Sequence, residues 1–136
     1  MVKGITYILK NNSTVQGLIG QNARGDKYKV FPVVCPTPEV NPYVVVKMTG
    51  RTPIDCKGGA ATSFIYTYDV YSFDKNYDAT VTMAEAVETA LALPDGGTHN
   101  SVKFDEIRYA NRSEGYDKEF GLFAQISSFE AQVDES

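Results

Sequence analysis

The sequence predicts a single α+β domain: an antiparallel β-sheet with helices packed on one face, in the order α-β-β-β-α-β-β. Three observations carry that expectation. The first is the run Ser63 to Phe73, rich in aromatic and β-branched residues. In it Phe64, Tyr66, Tyr68 and Val70 fall on one uncharged side, and Ile65, Thr67, Asp69 and Tyr71 on the other. The second is a change of period, from two to about 3.6 residues, after Asp74-Lys75-Asn76-Tyr77-Asp78. Thr80, Met83, Ala84, Val87, Ala90 and Leu91 then make one helical stripe, with Thr82, Glu85 and Thr89 opposite. The third is that the strand-like runs follow one another through short connections, which favours antiparallel pairing. A chain of 136 residues can bury a core without metals or disulfides, so one domain over 1–136 is expected.

Gly4 to Ile19 reads as one or two short helices. Ile5, Ile8, Leu9, Val15, Leu18 and Ile19 are the apolar positions, Asn11-Asn12-Ser13 is the interruption, and Ser13 is the expected cap of the second turn. Gly20 to Gly25 is an exit loop. Lys29 to Cys35 is a short strand, and Pro32, which has no N–H to give a ladder, places it at an edge or bend. Pro36 to Pro42 is an extended link to a second strand, Tyr43 to Met48, in which Val44, Val46 and Met48 share a face. Gly50 to Ala61 is a loop longer than the usual hairpin connection.

The central helix is expected over Asp78 to Leu93. Asp78 is its N-cap, Thr82 and Glu85 have capping-box spacing one turn later, and Pro94-Asp95-Gly96-Gly97 end it. Val102 to Tyr109 follows as a strand bulged at Asp105-Glu106, then Asn111 to Asp117 as a turn. Phe120 to Val133 is the last strand, with a bulge or bend expected at Ser127-Ser128, where the apolar parity switches. Asp134-Glu135-Ser136 is expected to fray.

Composition excludes several function classes. No apolar run approaches the roughly 20 residues of a membrane helix. The first residues lack a signal-peptide core, so a cytosolic chain is expected, with Cys35 and Cys56 as reduced thiols. His99 is the only histidine and lies in a loop without a nucleophile-elbow pattern, which argues against imidazole-based catalysis. One His and two scattered Cys do not make a zinc set. Gly58-Gly59 and Gly96-Gly97 are turn glycines, with no phosphate-cradling pattern. Lys27-Tyr28-Lys29 falls short of a nucleic-acid surface in a chain of net charge −4. No catalytic residue, metal or cofactor is therefore expected.

Interaction chemistry remains. Residues 1–57 hold eight Lys or Arg against three Asp or Glu, a net +5, and residues 58–136 hold five against fourteen, a net −9. In a head-to-tail assembly those halves would complement one another. Arg51, Ile54, Asp55 and Lys57 in the long loop, and the aromatic residues Tyr71, Phe73 and Tyr77, are the candidate contact residues.

Three stretches together carry a resemblance: Val15-Gln16-Gly17-Leu18-Ile19-Gly20 closing the helical start, Asn41-Pro42-Tyr43-Val44-Val45-Val46 entering a strand after a Pro-rich link, and Tyr66-Thr67-Tyr68-Asp69-Val70-Tyr71-Ser72 running through Tyr77 into Met83-Ala84-Glu85-Ala86-Val87-Glu88-Thr89-Ala90-Leu91. With Tyr116 to Phe129 as a closing strand, the chain resembles the tail-terminator or tail-completion (head–tail joining) proteins of long-tailed bacteriophages. The resemblance spans nearly the whole chain, departs in the Gly50 to Ala61 loop, and encodes a fold rather than a catalytic site.

The resemblance implies a structural virion protein needing no cofactor. Copies would assemble in the host cytoplasm as a homohexameric ring at the head-proximal end of the tail. The ring would touch the tail-tube protein on one side and a head-completion or connector protein on the other, and DNA would pass through without tight binding. Asp105, Glu106, Glu114, Asp117 and Glu119 are then the candidate lumen acids. Two alternatives stay open: another head–tail connector or tail-tube component, and a small ligand-binding α+β module.

Overall fold

A computed structural model of the protein describes residues 2–20, 28–32, 42–54 and 62–135. Cys35, Cys56, Asp55, Lys57 and most of the Pro-rich link lie outside the described residues. Helices α1 (Lys3–Lys10) and α2 (Ser13–Ile19) lead into β1 (Val30–Pro32), β2 (Tyr43–Pro53) and β3 (Ser63–Asp74). After α3 (Tyr77–Ala90) come β4 (Gly97–His99), β5 (Val102–Asp117) and β6 (Leu122–Asp134). The strands form one six-stranded sheet in the order β1-β2-β3-β6-β5-β4. Every neighbouring pair is antiparallel except β1 with β2. The expectation of antiparallel pairing rests on short connections, and β1 is separated from β2 by ten residues, well beyond a hairpin loop. Pro32 does sit on the edge strand.

One face of the sheet is the core. Val44 and Val46 of β2, Tyr66, Tyr68 and Val70 of β3, and Phe129, Ala131 and Val133 of β6 are buried there, in a cluster that also takes in Ile5, Leu9, Val15 and Ile19 of the first two helices. α3 buries Thr80, Met83, Ala84, Val87, Ala90 and the adjoining Leu91, which is the stripe its periodicity predicts. Each fully buried aliphatic or aromatic side chain contributes about 1.5–3 kcal/mol relative to exposure, so this two-layer contact is the main source of stability. Gly4 lets α1 lie directly on β5: a Cβ there would stand 2.6 Å from the Phe104 ring.

The helix starts differ from expectation by small shifts. The Asn12 side chain, not Ser13, accepts from the Val15 N–H at 3.1 Å to cap α2. α3 begins at Tyr77, capped by Asn76, whose side chain accepts from the Ala79 N–H at 3.2 Å. Asp78 falls in the first turn, where its charge favours the helix N-terminus, and Thr82 Oγ1 donates to the Asp78 carbonyl instead of closing a capping box. Asn76 takes the cap because it is the residue with extended φ/ψ where β3 ends.

Two strands run well past their expected ends, for one physical reason: pairing, not local propensity, sets them. β2 does not stop at Met48. It continues past a bulge between Met48 and Gly50, and Arg51, Thr52 and Pro53 pair with Tyr66, Ile65 and Phe64. Alternation hides this extension, because both faces of the strand are exposed beyond the helices, Met48 included. The Asn111 to Asp117 stretch is strand rather than turn, each residue opposite one of β6. The turn lies just after it, where Asp117 Oδ1 accepts from the Glu119 and Phe120 N–H groups and Gly121 adopts φ +65°. The predicted bulge near Asp105 is present, and a second falls between Tyr109 and Asn111.

β6 itself has no bulge at Ser127-Ser128; the irregularity at that level is in β5, between Tyr109 and Asn111, opposite Phe129 and Ser128. β6 keeps unbroken register with β3, and its two apolar sets lie on opposite faces of one continuous strand. His99 is in the short strand β4, not a loop. The C-terminal end does not fray at Asp134 and Glu135: Asp134 pairs with Ser63, and the Glu135 N–H donates to the Thr62 carbonyl at 2.7 Å.

Replacing the cap tests the helix start. Asn76→Ala is expected to destabilise the protein by about 1 kcal/mol and Asp78→Ala by clearly less. Urea denaturation of both variants checks this; the reverse order would return the cap to Asp78.

Candidate assembly surfaces

The sheet face turned away from the helices is not uniformly polar. Where β2, β3 and β6 lie side by side, Tyr43, Phe73 and Ala124 share one level and Val45, Tyr71 and Ile126 the next. Phe73 stacks on Tyr43 at 5.1 Å and on Tyr71 at 5.9 Å, and Phe31 of β1 meets Tyr43 edge-on at 6.2 Å. Tyr71 and Phe73, two of the predicted contact residues, are thus half-buried members of one aromatic strip. Toward the other end the same face becomes hydrophilic. Ser128 donates to Asp69 at 2.7 Å, Arg108 pairs with Glu130 at 2.5 Å, and Lys103 with Asp134 at 3.4 Å.

A second surface is the far end of the β5–β6 hairpin. Phe123 packs against Tyr116 at 4.9 Å and edge-on against Tyr77 at 5.8 Å, with Tyr77, Tyr116 and Phe120 exposed. The Tyr77 hydroxyl and the Gln125 amide, the latter at 2.8 Å, both donate to Glu114. Those bonds, Tyr77's first, hold the Glu114 carboxyl below its ordinary range, and the same carboxylate raises the Tyr77 hydroxyl. Two residues along the strands, buried Ser127 donates to Glu88 at 2.9 Å, and Arg112 pairs with Glu88 at 3.4 Å. The hairpin end is thereby tied to α3. Tyr77, named with Tyr71 and Phe73 as a candidate contact residue, lies here instead, on the helix side of the sheet.

Arg51 is not in a free loop. It lies over the Phe64 ring at 3.6 Å, donates to the Tyr66 hydroxyl at 2.8 Å and pairs with Glu135 at 2.6 Å, while the Tyr66 hydroxyl also donates to Glu135. Strand β2, strand β3 and the C-terminal end meet in this latch. Ile54 is half-buried and its N–H donates to the Ser63 carbonyl at 3.0 Å, so it too belongs to the hairpin frame. Asp55 and Lys57 lie outside the described residues. The sequence signal for the latch was confined to its residue types; their meeting required the fold.

The five candidate lumen acids do not form one cluster. Asp105 and Glu106 flank the bulge at one end of β5, and Asp117 lies roughly 40 Å farther along it at 3.3 Å per residue. Asp105 accepts from Gln132 at 3.3 Å, Glu114 faces α3, and Asp117 and Glu119 shape the turn. Among the described residues no three His, Cys, Asp or Glu side chains converge as a metal site, and no helix is long and apolar enough to cross a membrane. His99 packs between Tyr7 and Phe104, its Nε2 without a hydrogen-bond partner among the described residues.

The latch gives a pH prediction. Hydrogen bonds from Tyr66 and then Arg51 hold the Glu135 carboxyl below its ordinary value of 4.5. The folded state therefore favours the ionised carboxyl. That stabilisation is complete above pH 4.5 and is lost as pH falls through the lower folded value. Glu135→Gln is expected to flatten the loss of stability on acidification, leaving a smaller slope from Glu114 and other carboxylates. Urea midpoints across that acid range would reveal it; parallel curves for the two proteins would rule out the latch as a source of acid sensitivity.

No family model matches the chain, and no curated protein matches its sequence. Its fold is similar to that of a solved chain described as the virion of a native gene transfer agent (GTA) particle. The TM-score is 0.69 at 16% identity, over 96% of this chain and 92% of that one.

Proposed function

We propose that this protein is a non-enzymatic structural component of a tailed, phage-like virion, and within it a tail terminator. The observation that carries the reading is the fold likeness to a chain of a gene transfer agent virion, which extends over nearly the whole of both chains. The resemblance of the helical start, the Pro-Tyr-Val strand entry and the central strand–helix unit to tail-completion proteins supports the finer role. In this reading the whole chain works as one unit. Six copies ring the head-proximal end of the tail tube in the host cytoplasm, stop tube growth and present a docking surface to the head-completion protein.

The aromatic strip of Tyr43, Tyr71 and Phe73 and the exposed hairpin end with Tyr77, Tyr116 and Phe120 supply the kind of surface that protein contacts favour. The basic first half and acidic second half of the chain suit a head-to-tail interface, which closes into rings. A lumen that is acidic or neutral would let DNA slide, since grip on phosphates comes from Lys and Arg. Asp105, Glu106, Glu114 and Asp117 of β5, with Glu119 in the turn after it, are the acids that would line such a lumen.

Particles assembled without this protein are expected to carry tails of uncontrolled length or tails that fail to join heads, as electron microscopy would show. Normal infectious particles would refute the reading. The purified protein is expected to leave duplex DNA unretarded at near-physiological salt; tight, salt-sensitive retention would favour a DNA-handling role.

A further inference from the structure

The outer edge of β5 is covered only at its start. β4 pairs with Val102 to Phe104, and the Ile107 N–H donates to the Leu93 carbonyl at 2.9 Å. From Arg108 to Asp117 the strand pairs with β6 on its inner side, and among the described residues no backbone partner lies on its outer side. Ten open residues are long for an edge, and the run Arg108-Tyr109-Ala110-Asn111-Arg112-Ser113-Glu114-Gly115-Tyr116-Asp117 holds neither Pro nor Lys; its guards are one bulge at Ala110 and the charges of Arg108, Arg112, Glu114 and Asp117, which are of both signs. The opposite side of the sheet has proline at both of its exposed places, Pro32 in β1 and Pro53 at the uncovered end of β2, and this edge of β5 has none.

We propose that this edge pairs with the same edge of a second copy, antiparallel, about a two-fold axis through Ser113. The reason is that the run is complementary to itself in one register. With Ser113 opposite Ser113, Arg112 faces Glu114 and Asn111 faces Gly115. The bulge between Tyr109 and Asn111 sets Ala110 aside, so Tyr109 faces Tyr116 and Arg108 faces Asp117. The facing pairs also share a side of the sheet. Tyr109, Arg112, Glu114 and Tyr116 lie opposite Phe129, Ser127, Gln125 and Phe123 on the helix side, and Arg108, Asn111, Gly115 and Asp117 lie opposite Glu130, Ser128, Ala124 and Leu122 on the other.

Opposite charges and paired aromatics are favoured cross-strand neighbours, and like charges are disfavoured. A centre one residue to either side would set Arg112 against Arg112 or Glu114 against Glu114. Tyr109 and Tyr116, 43% and 54% exposed, are the apolar area such a contact would cover. The contact is isologous, so it joins two free copies and does not itself close a ring; it stands whether or not the virion reading holds.

Sedimentation velocity on the full chain is expected to show a concentration-dependent dimer. Ser113→Cys replaces an exposed side chain at the axis. Under mild oxidation the two introduced thiols are expected to join in a cross-link, which peptide mass spectrometry distinguishes from links through Cys35 or Cys56. Tyr116→Lys places a charge in the pairing and is expected to raise the dimer Kd at least about tenfold, with circular dichroism unchanged. A chain that stays monomeric at every concentration, or a dimer whose position-113 thiols do not link, overturns the proposal; the edge would then be open to a strand of a different protein.

Discussion

The structure depends on the two-sided pairing of β6. From Phe123 to Asp134 this strand is paired with β3 on one side, and from Leu122 to Asp134 with β5 on the other. Backbone N–H and C=O groups that leave water must be paired, so a strand with ladders on both sides fixes the register of everything beside it. β3 is locked without a slip from Ser63 to Asp74, and β2 is in turn referred to β3. β5 needs two bulges to stay in step. A one-residue shift of β6 would move Phe129, Ala131 and Val133 out of the core and expose them, a penalty large enough to make the register unique.

Central placement of β6 also creates obligations. Its core-side residues include Gln125 and Ser127, both buried and polar. Each is satisfied by a carboxylate from a neighbouring element, Glu114 for Gln125 and Glu88 for Ser127. Burial without such partners would cost more than the bonds return in net stability. These bonds explain why the far half of the hairpin stays extended under a sequence rich in turn formers: Arg112 and Glu114 are held to α3 and β6, although their strand has a free outer edge.

Function is separated from that frame. The likeness to a virion chain extends over 96% of this chain, and so includes the core layer of helices on one face of a sheet. The surfaces available for assembly lie elsewhere: an aromatic strip on the uncovered face and the end and edge of the long hairpin. They are distinct in chemistry. The strip offers broad apolar area, whereas the hairpin edge offers backbone groups and a charge pattern that specifies register. Under the proposed tail-terminator role, with several different neighbours, such non-equivalent surfaces would be needed, because one patch cannot discriminate between them.

By itself the sequence determined the core faces. The alternation of Phe64, Tyr66, Tyr68 and Val70 and the stripe from Thr80 to Leu91 appear in the fold as read, because side-chain direction follows from backbone geometry at short range. It also signalled the edge position of Pro32 and the bulge at Asp105. Tertiary structure alone decided where strands end and which polar groups meet. Asn111 to Asp117 reads as a turn until β6 supplies thirteen paired partners for β5; Arg51 to Pro53 reads as loop until β3 extends beside it. Arg51 and Glu135, 84 positions apart, have no local signal that could join them. Periodicity is a property of a segment, whereas a ladder or an ion pair belongs to two segments, and only folding brings the second one into place.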